Sequence, residues 1–334
     1  MPAKPAVGSL VRRYLEEHSV ERGLSRNTVH SYRDAFVLLL PFAAGRARGP
    51  IDRLALGDLG AECVREFLNH LESSRGCSPQ TRNQRLAAIR SFARYVAAGS
   101  PEQLDWCTRI CAIPLKKVAP PPVGYLEKAE MDALLAVPDR ATAQGRRERA
   151  LLEFLYNSGA RVSEAVHLRV GDLRLPEGSA SQPLAVLRGK GGKTRQCPLW
   201  ARTARLLGEL VADRSAGERV FLSRLGRPLT RSGVLKLVRR CAERAATQVR
   251  SLQAKRVSPH TIRHTTACHL LRAGVDINTI RAWLGHASLA TTNIYAEIDL
   301  EMKAKAIACC ALSEPEPAAS WKDDERLMAF LRSL

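Results

Sequence analysis

Three consecutive prolines, Pro120 to Pro122, in the run Ile113 to Gly124 (IPLKKVAPPPVG) constrain this chain more than any other feature. Each proline fixes φ and removes a backbone donor, so neither a helix interior nor a central strand can cross the run. Three together favour an extended polyproline conformation, while Lys116 and Lys117 add charge without core material. The chain is therefore expected to fold as two bodies joined by a stiff, basic strap: residues 1–113, a linker at 114–124, and a larger body from Tyr125 onward. Of the 334 residues 45% are hydrophobic, enough for a core in each body.

Charge narrows what these bodies can meet. Lys and Arg number 52 against 33 Asp and Glu, a formal +19. Such an excess favours a polyanion, because binding releases its condensed counterions. Aromatic residues are only 5%, which argues against a stacking platform for single strands, so duplex DNA is the expected partner. Nine cysteines are scattered without CxxC pairing; Cys107 and Cys111 lie four apart, and adjacent Cys309 and Cys310 suit a mutual disulfide poorly. With no signal peptide and no long apolar run, the expectation is a reduced cytoplasmic setting and no membrane role.

Residues 1–113 read as a compact all-α body of four or five helices. The first runs from about Ser9 to Arg22. Ser25 caps the second, with Val29, Tyr32, Phe36 and Leu39 at helical spacing. A third covers Ala61 to Ser73, Ser78 opens a fourth carrying Leu86, Ile89, Phe92 and Tyr95, and a short fifth lies between Pro101 and Ile110. Arg26, His30 and Arg33 line one side of the second helix, and Arg82, Arg85 and Arg90 lie on the fourth. Such rows suit phosphates or a major groove, and equally a solvated surface; spacing alone leaves both open.

The second body mixes helices with short strands. Leu126, Met131, Leu134 and Leu135 mark an amphipathic helix ended by Pro138, and Arg149 to Asn157 a buried helix broken at Gly159. Val170 to Leu173, Leu184 to Arg188 and Arg195 to Leu199 read as strands, with the turn Gly189 to Lys193 (GKGGK) as a hairpin tip. The spacer Arg174 to Pro183 extends a loop. Helices resume over Ala201 to Asp213 and Thr230 to Ala246. Arg239, Arg240, Arg244, Arg250, Lys255 and Arg256 then make a phosphate-facing surface the expected use of that region. The fold class is mainly α with a small antiparallel β-sheet.

Pro259 to Tyr295 carries the chemistry. His260 and Arg263 are three apart and share a helix face, Gly274 suits the turn that ends that helix, and a second helix from Ile277 to Leu284 stops at Gly285 and delivers His286. Ser288 caps a third, with Tyr295 about two turns in. A guanidinium binds two phosphate oxygens, imidazoles move protons near neutral pH, and a phenol can be a covalent nucleophile, so the group suits attack on a phosphodiester. The stretch has no carboxylate cluster to hold magnesium, and a metal-free reaction is expected. His260, His264 and Cys268 at i, i+4 and i+8 could be zinc ligands, but no fourth ligand has compatible spacing; His264, Cys268 and Trp283 are expected to pack beneath the site.

HxxR, a second His in LGH and a Tyr nine residues later resemble the tyrosine recombinase (phage integrase) family. Upstream, YNSGARVSEAVHL resembles the family's box with its first catalytic arginine, here Arg161, with Glu164 in support. LRGKGGKTRQCPL resembles its β-hairpin with the catalytic lysine; Lys190 and Lys193 are both candidates, and the family's placement favours Lys190. The resemblance implies an N-terminal SAM-like core-binding domain at 1–113, whose helices contact DNA, and a DNA breaking-rejoining domain at 125–312. It implies a site-specific recombinase or integrase of a mobile element, acting without cofactor, metal or ATP through a 3′-phosphotyrosyl intermediate on Tyr295. Arg161, Arg263 and His286 would hold the phosphate, His260 would act as base and Lys190 as acid. A homotetramer on two DNA sites, monomeric or weakly dimeric when free, is the implied assembly. The tail 313–334, with SEPEPAAS as hinge and Leu327, Met328, Leu331 and Leu334 on one face of a last helix, would dock on a neighbouring protomer. It also resembles recombinases encoded in trios, so related recombinases are expected partners. Two alternatives use the same sequence: a type IB topoisomerase, and a non-catalytic DNA-binding regulator.

Overall fold

The computed structural model describes residues 6–118, 124–175, 181–189, 192–285 and 325–333. It divides into two units, Met1–Pro121 and Pro122–Leu334, and the division falls within the proline run. Among the described residues no helix is long and apolar enough to cross a membrane.

Serine caps set the helices of the first unit. Helix α1, Val7–Arg13, continues through a π turn at Tyr14–His18 to Glu21. Ser25 Oγ accepts from Thr28 N at 3.3 Å and starts α2, Arg26–Ala47. Ser78 does the same for Thr81 N at 3.3 Å and starts α4, Pro79–Gly99, with Pro79 in the first turn where its missing N–H costs nothing. Between them lies α3, Ala61–Ser73, and α5, Leu104–Cys111, follows. Their apolar faces bury Tyr14, Phe36, Phe67 and Phe92; the Phe92 ring stands edge-on to Phe36 at 5.1 Å and to Tyr14 at 5.5 Å. Each such side chain contributes roughly 1.5–3 kcal/mol when fully buried.

The basic row expected on α4 needs correction. Arg82 is only 6% exposed. Its Nη1 donates to Pro114 O at 3.2 Å, and its Nε lies 3.8 Å from a Glu72 carboxylate oxygen. Arg90 donates to Ile113 O, and Arg85 Nη1 donates to Ser31 O on α2 at 3.0 Å. Asn83 completes the set by pairing with Lys116, donating to its carbonyl at 2.8 Å and accepting from its N–H at 3.0 Å. The carbonyl of buried Ile113 needs a donor, and Arg90 supplies it. Arg82, Asn83 and Arg90 fasten the start of the strap to α4, and Arg85 ties α4 to α2, instead of forming an open face. Arg26, His30 and Arg33 on α2 are exposed, Arg33 beside Asp34 at 2.7 Å.

In the second unit α6 spans Lys128–Ala136 and α7 spans Ala143–Ser158, six residues longer at its start than the apolar pattern indicates. Thr142 supplies the cap, accepting from Gly145 N at 2.9 Å. A turn then leads to α8, Val162–His167. Val170–Asp172 is a 3₁₀ turn, so the first strand is reduced to β1, Leu173–Arg174. It joins β2, Leu184–Arg188, and β3, Thr194–Pro198, in an antiparallel sheet of order β1-β2-β3. The register pairs Leu187 with Arg195 and Arg188 with Thr194. Helices α9, Ala201–Val211, and α10, Arg231–Ala245, follow. Ser258 caps α11, Pro259–Arg272, and Asp276 caps α12, Ile277–Leu284. The core joins Leu151, Leu152, Phe154 and Leu155 of α7 to Ala185, Leu187, Leu207, Val238 and Ile262. Asn157, near the end of α7, binds both neighbours of the site: its side chain donates to Pro198 O at 3.1 Å, and its carbonyl accepts from Trp283 Nε1 at 3.3 Å. The last described helix is α13, Glu325–Ser333. The helix expected from Ser288 and its continuation to Leu312, the SEPEPAAS hinge, the middle of the Arg174 to Pro183 spacer and the side chains of Leu327 and Leu334 lie outside the described residues.

Candidate active site

One glycine begins the site. Helix α7 ends at Gly159 with φ +56°, where a Cβ would stand 2.6 Å from Leu284 Cδ2. Only glycine lets α12 come so close in that left-handed conformation. The chain then extends at Arg161, which sits at the N-cap of α8. Glu164 turns back to it: one carboxylate oxygen accepts from Arg161 N at 2.8 Å, the other from Arg161 Nη1 at 2.9 Å. The guanidinium is thus aimed by the carboxylate one turn on, as its spacing indicates, while its side chain remains 40% exposed.

Helix α11 supplies the second arginine. Arg263 is 2% exposed, and its Nη1 donates to Gly159 O at 2.6 Å while Nη2 donates to Leu284 O at 2.7 Å. One turn earlier His260 is exposed, with its Nε2 at 2.9 Å from His264 Nε2. Partial desolvation of the ring, then the charge of Arg263 and of Arg161, hold His260 below the usual histidine value. Burial, His260 and Arg263 push His264 down to about 4. Both rings are therefore neutral near pH 7, one nitrogen of the pair donating and the other accepting. A neutral imidazole beside two guanidiniums can take up a proton.

The end of α12 gathers three arginines. The last carbonyls of a helix lack partners within it and carry partial negative charge. Here Trp283 O accepts from Arg195 Nε at 2.8 Å, Leu284 O from Arg263 Nη2 at 2.7 Å, and Gly285 O from Arg161 Nη2 at 3.1 Å. Gly285 ends the helix at φ +65°, and a Cβ there would come within 3.1 Å of Arg195 Nη1. Arg195 also grips Glu164 with both terminal nitrogens, at 2.9 and 2.8 Å. The Glu164 side chain is 2% exposed. Burial pushes its carboxyl up, but Arg195 and then Arg161 outweigh this, so the group lies below the ordinary carboxylate value.

Of the expected catalytic residues, the structure brings Arg161, Glu164, Arg263 and His260 to one region. Lys190, His286 and Tyr295 lie outside the described residues. Their chain neighbours do not: Gly189, just before Lys190, closes the hairpin through N–H to Lys193 O at 2.7 Å, and a Cβ on it would stand 3.4 Å from Glu164 Oε1. Gly285 directly precedes His286. Lys193 itself is exposed. The sequence reading missed Arg195. The one available signal was alternation along β3, which puts Arg195 on the same side as the buried Cys197.

Comparison with known proteins bears on the whole chain. Residues 124–302 match the phage integrase family, and residues 11–99 match the phage integrase N-terminal SAM-like domain. A protein of Sinorhizobium fredii named as an integrase/recombinase, y4rC, is 38% identical over 323 residues, covering 96% of each chain. The tyrosine recombinase XerD of Ralstonia nicotianae is 32% identical over 314 residues, covering 90% of this chain and 93% of its own. Among solved structures, the XerH site-specific recombinase bound to palindromic difH substrate aligns with a TM-score of 0.65 at 21% identity, over 90% of this chain and 84% of its own. A lambda integrase dimer bound to a COC′ core site aligns with a TM-score of 0.61 at 16% identity, over 85% and 96%. At such identities these two likenesses speak for the fold.

Proposed function

This chain belongs to the phage integrase family of tyrosine recombinases, and from that premise we propose how its residues divide the work. The enzyme is a DNA strand-transferase, of a family that needs neither metal nor ATP. Tyr295 Oη attacks a backbone phosphorus in line with the 5′ oxygen. The phenolic proton passes to His260, the P–O5′ bond breaks, and Lys190 protonates the departing 5′ oxygen. The product is a 3′-phosphotyrosyl link and a free 5′-hydroxyl. Arg161 and Arg263 hold the non-bridging oxygens as negative charge builds on them, and His286 adds a hydrogen bond. A 5′-hydroxyl from the second duplex then attacks the phosphotyrosine, so each phosphoester broken is replaced by one of similar energy.

The observation that carries this reading is the gathering of Arg161 and Arg263 at the end of α12, one residue before His286, with neutral His260 beside them. The other tyrosines of the second unit support Tyr295 as nucleophile. Tyr125 Oη accepts from Arg272 at 2.8 Å, and the Tyr156 hydroxyl is paired with His269 Nδ1 at 2.7 Å, with burial pushing it up to about 12. Duplex DNA is the partner, and exposed Arg26, His30 and Arg33 are the residues of the first unit proposed to touch it. Four protomers on two sites, in the cytoplasm, would recombine the ends of a mobile element.

The test pairs supercoiled plasmids that carry the DNA flanking this gene with plasmids that lack it. Recombinant circles from the first set alone support the proposal. Relaxation of both sets without recombinants would assign topoisomerase action instead. Site binding with no strand cleavage would assign a regulator.

A further inference from the structure

We propose that Arg195 is a positioning residue for strand cleavage, holding both anchors of the Arg161 guanidinium and the helix end that leads into His286. The inference rests on the function proposed above. Among the described residues, Arg161 is aimed by two acceptors, Glu164 Oε1 and Gly285 O. Arg195 binds the first of these groups directly through Nη1 and Nη2, and it binds the helix end bearing the second through Nε to Trp283 O. One side chain thus fixes the distance between the two points that direct Arg161.

Its own placement is rigid. Arg195 lies on β3 in register with Leu187, which is buried, and its next neighbour on the same face, Cys197, is buried too. The side chain is 11% exposed, and its three kinds of N–H all face protein acceptors. Enclosed in this way it cannot reach a duplex, so it acts through Arg161, Glu164 and the α12 end rather than on the phosphate. Arg195 borders the unit's apolar core at Leu187 and Cys197, so its contribution to the aim of Arg161 has to be read apart from its contribution to stability. The same side chain also explains why residue 285 is glycine: a Cβ would press on Arg195 Nη1 and Cδ at 3.1 and 3.2 Å.

The experiment measures single-turnover adduct formation on a nicked duplex carrying the sequence recovered from covalent adducts of the wild-type protein with DNA flanking its gene. Two versions are used, one with the ordinary bridging 5′ oxygen and one with sulfur there. A thiolate leaves without being protonated, so the sulfur substrate bypasses a misplaced general acid and spares no defect in holding the phosphate. Arg195→Met is expected to melt cooperatively but at a lower temperature, since Glu164 loses its main counter-charge, and below that temperature to bind the duplex as the wild type does, yet form adduct about 10²-fold more slowly, the scale of an ångström-sized misplacement. That deficit should persist on the sulfur substrate, whereas a Lys190→Met deficit should vanish there. Arg195→Lys keeps a cation beside Glu164 but cannot also reach Trp283 O, and should fall between on both substrates; it carries the test if Arg195→Met does not fold. A wild-type rate in either variant, a deficit erased by sulfur, or a loss of duplex binding as large as the loss of rate would overturn the assignment. If wild-type protein binds the DNA flanking its gene but yields no covalent adduct from it, the proposed function fails and the positioning role falls with it.

Discussion

Replacing Glu164 by glutamine should damage the second unit in a way that acid conceals. The carboxylate accepts from Arg161 N and Nη1 and from Arg195 Nη1 and Nη2, two donors on each oxygen. In Glu164→Gln one oxygen becomes an amide nitrogen that faces two donors, so two bonds are lost and Arg195 is left enclosed without its counter-charge. Bonds to charged groups contribute about 1.5–3 kcal/mol each, and breaking a buried pair costs about 3–5 kcal/mol. Arg161 is partly solvated, which places the expected loss near the low end, about 3 kcal/mol. That corresponds to a fall in Tm of roughly 6–12 °C for a unit of this size. Urea unfolding followed by tryptophan emission, with Trp283 beside the altered group, measures it. Because the folded Glu164 carboxyl lies below its ordinary value, the wild type's advantage is complete above about pH 4.3 and is lost as pH falls through the lower folded value. Glutamine does not titrate, so the gap between the two proteins should close in acid. A gap under about 1 kcal/mol at pH 7, or one that stays constant into acid, would refute the reasoning.

Gly159→Ala forces a side chain into φ +56° and against Leu284 Cδ2; the conformation costs about 1–2 kcal/mol and the overpacking about 1–3 kcal/mol, both measurable by urea unfolding of the second unit. Arg82→Leu should destabilise the first unit and leave the slope of log affinity against log salt unchanged, since Arg82 serves Pro114 O; a slope reduced by about 0.9 would make it a phosphate ligand after all. With subsaturating duplex, the cleavage rate should fall in acid as His260 takes up a proton, with a midpoint below about 6.5 because partial desolvation and two arginines lower this histidine. A midpoint at or above that value would remove His260 from the role of base.

Much of this was legible because local chemistry decides it. Ser25 and Ser78 each stand where a cap is needed, and their helices begin at the next residue. Gly285 marks the end of α12 because only a left-handed residue closes the helix there. The start of α7 was hidden, since Gln144, Arg146, Arg147 and Glu148 give its first turn a polar, loop-like pattern and the cap Thr142 lies ahead of it. Val170–Asp172 reads as a strand from its apolar residues but is a 3₁₀ turn closed by Asp172 Oδ2 accepting from Arg169 N at 3.0 Å. The arginines of α4 were misjudged for a different reason. A row of arginines looks like a solvent face unless one knows that Ile113 and Pro114 return their carbonyls to Arg90 and Arg82 and that α2 brings the Ser31 carbonyl to Arg85, and such returns are tertiary. Arg195 belongs to the same class, because its partners at Glu164 and Trp283 are 31 and 88 residues away in sequence.

The identity of the residue that becomes joined to DNA tests the central claim most directly. Wild-type protein trapped on a nicked cognate duplex, then digested with protease and nuclease, can be read by tandem mass spectrometry. The account predicts one modified peptide, with a 3′-linked phosphodeoxynucleotide on Tyr295, and none from Tyr295→Phe despite intact binding. A nucleotide on any other residue, or an adduct formed by Tyr295→Phe, would contradict it.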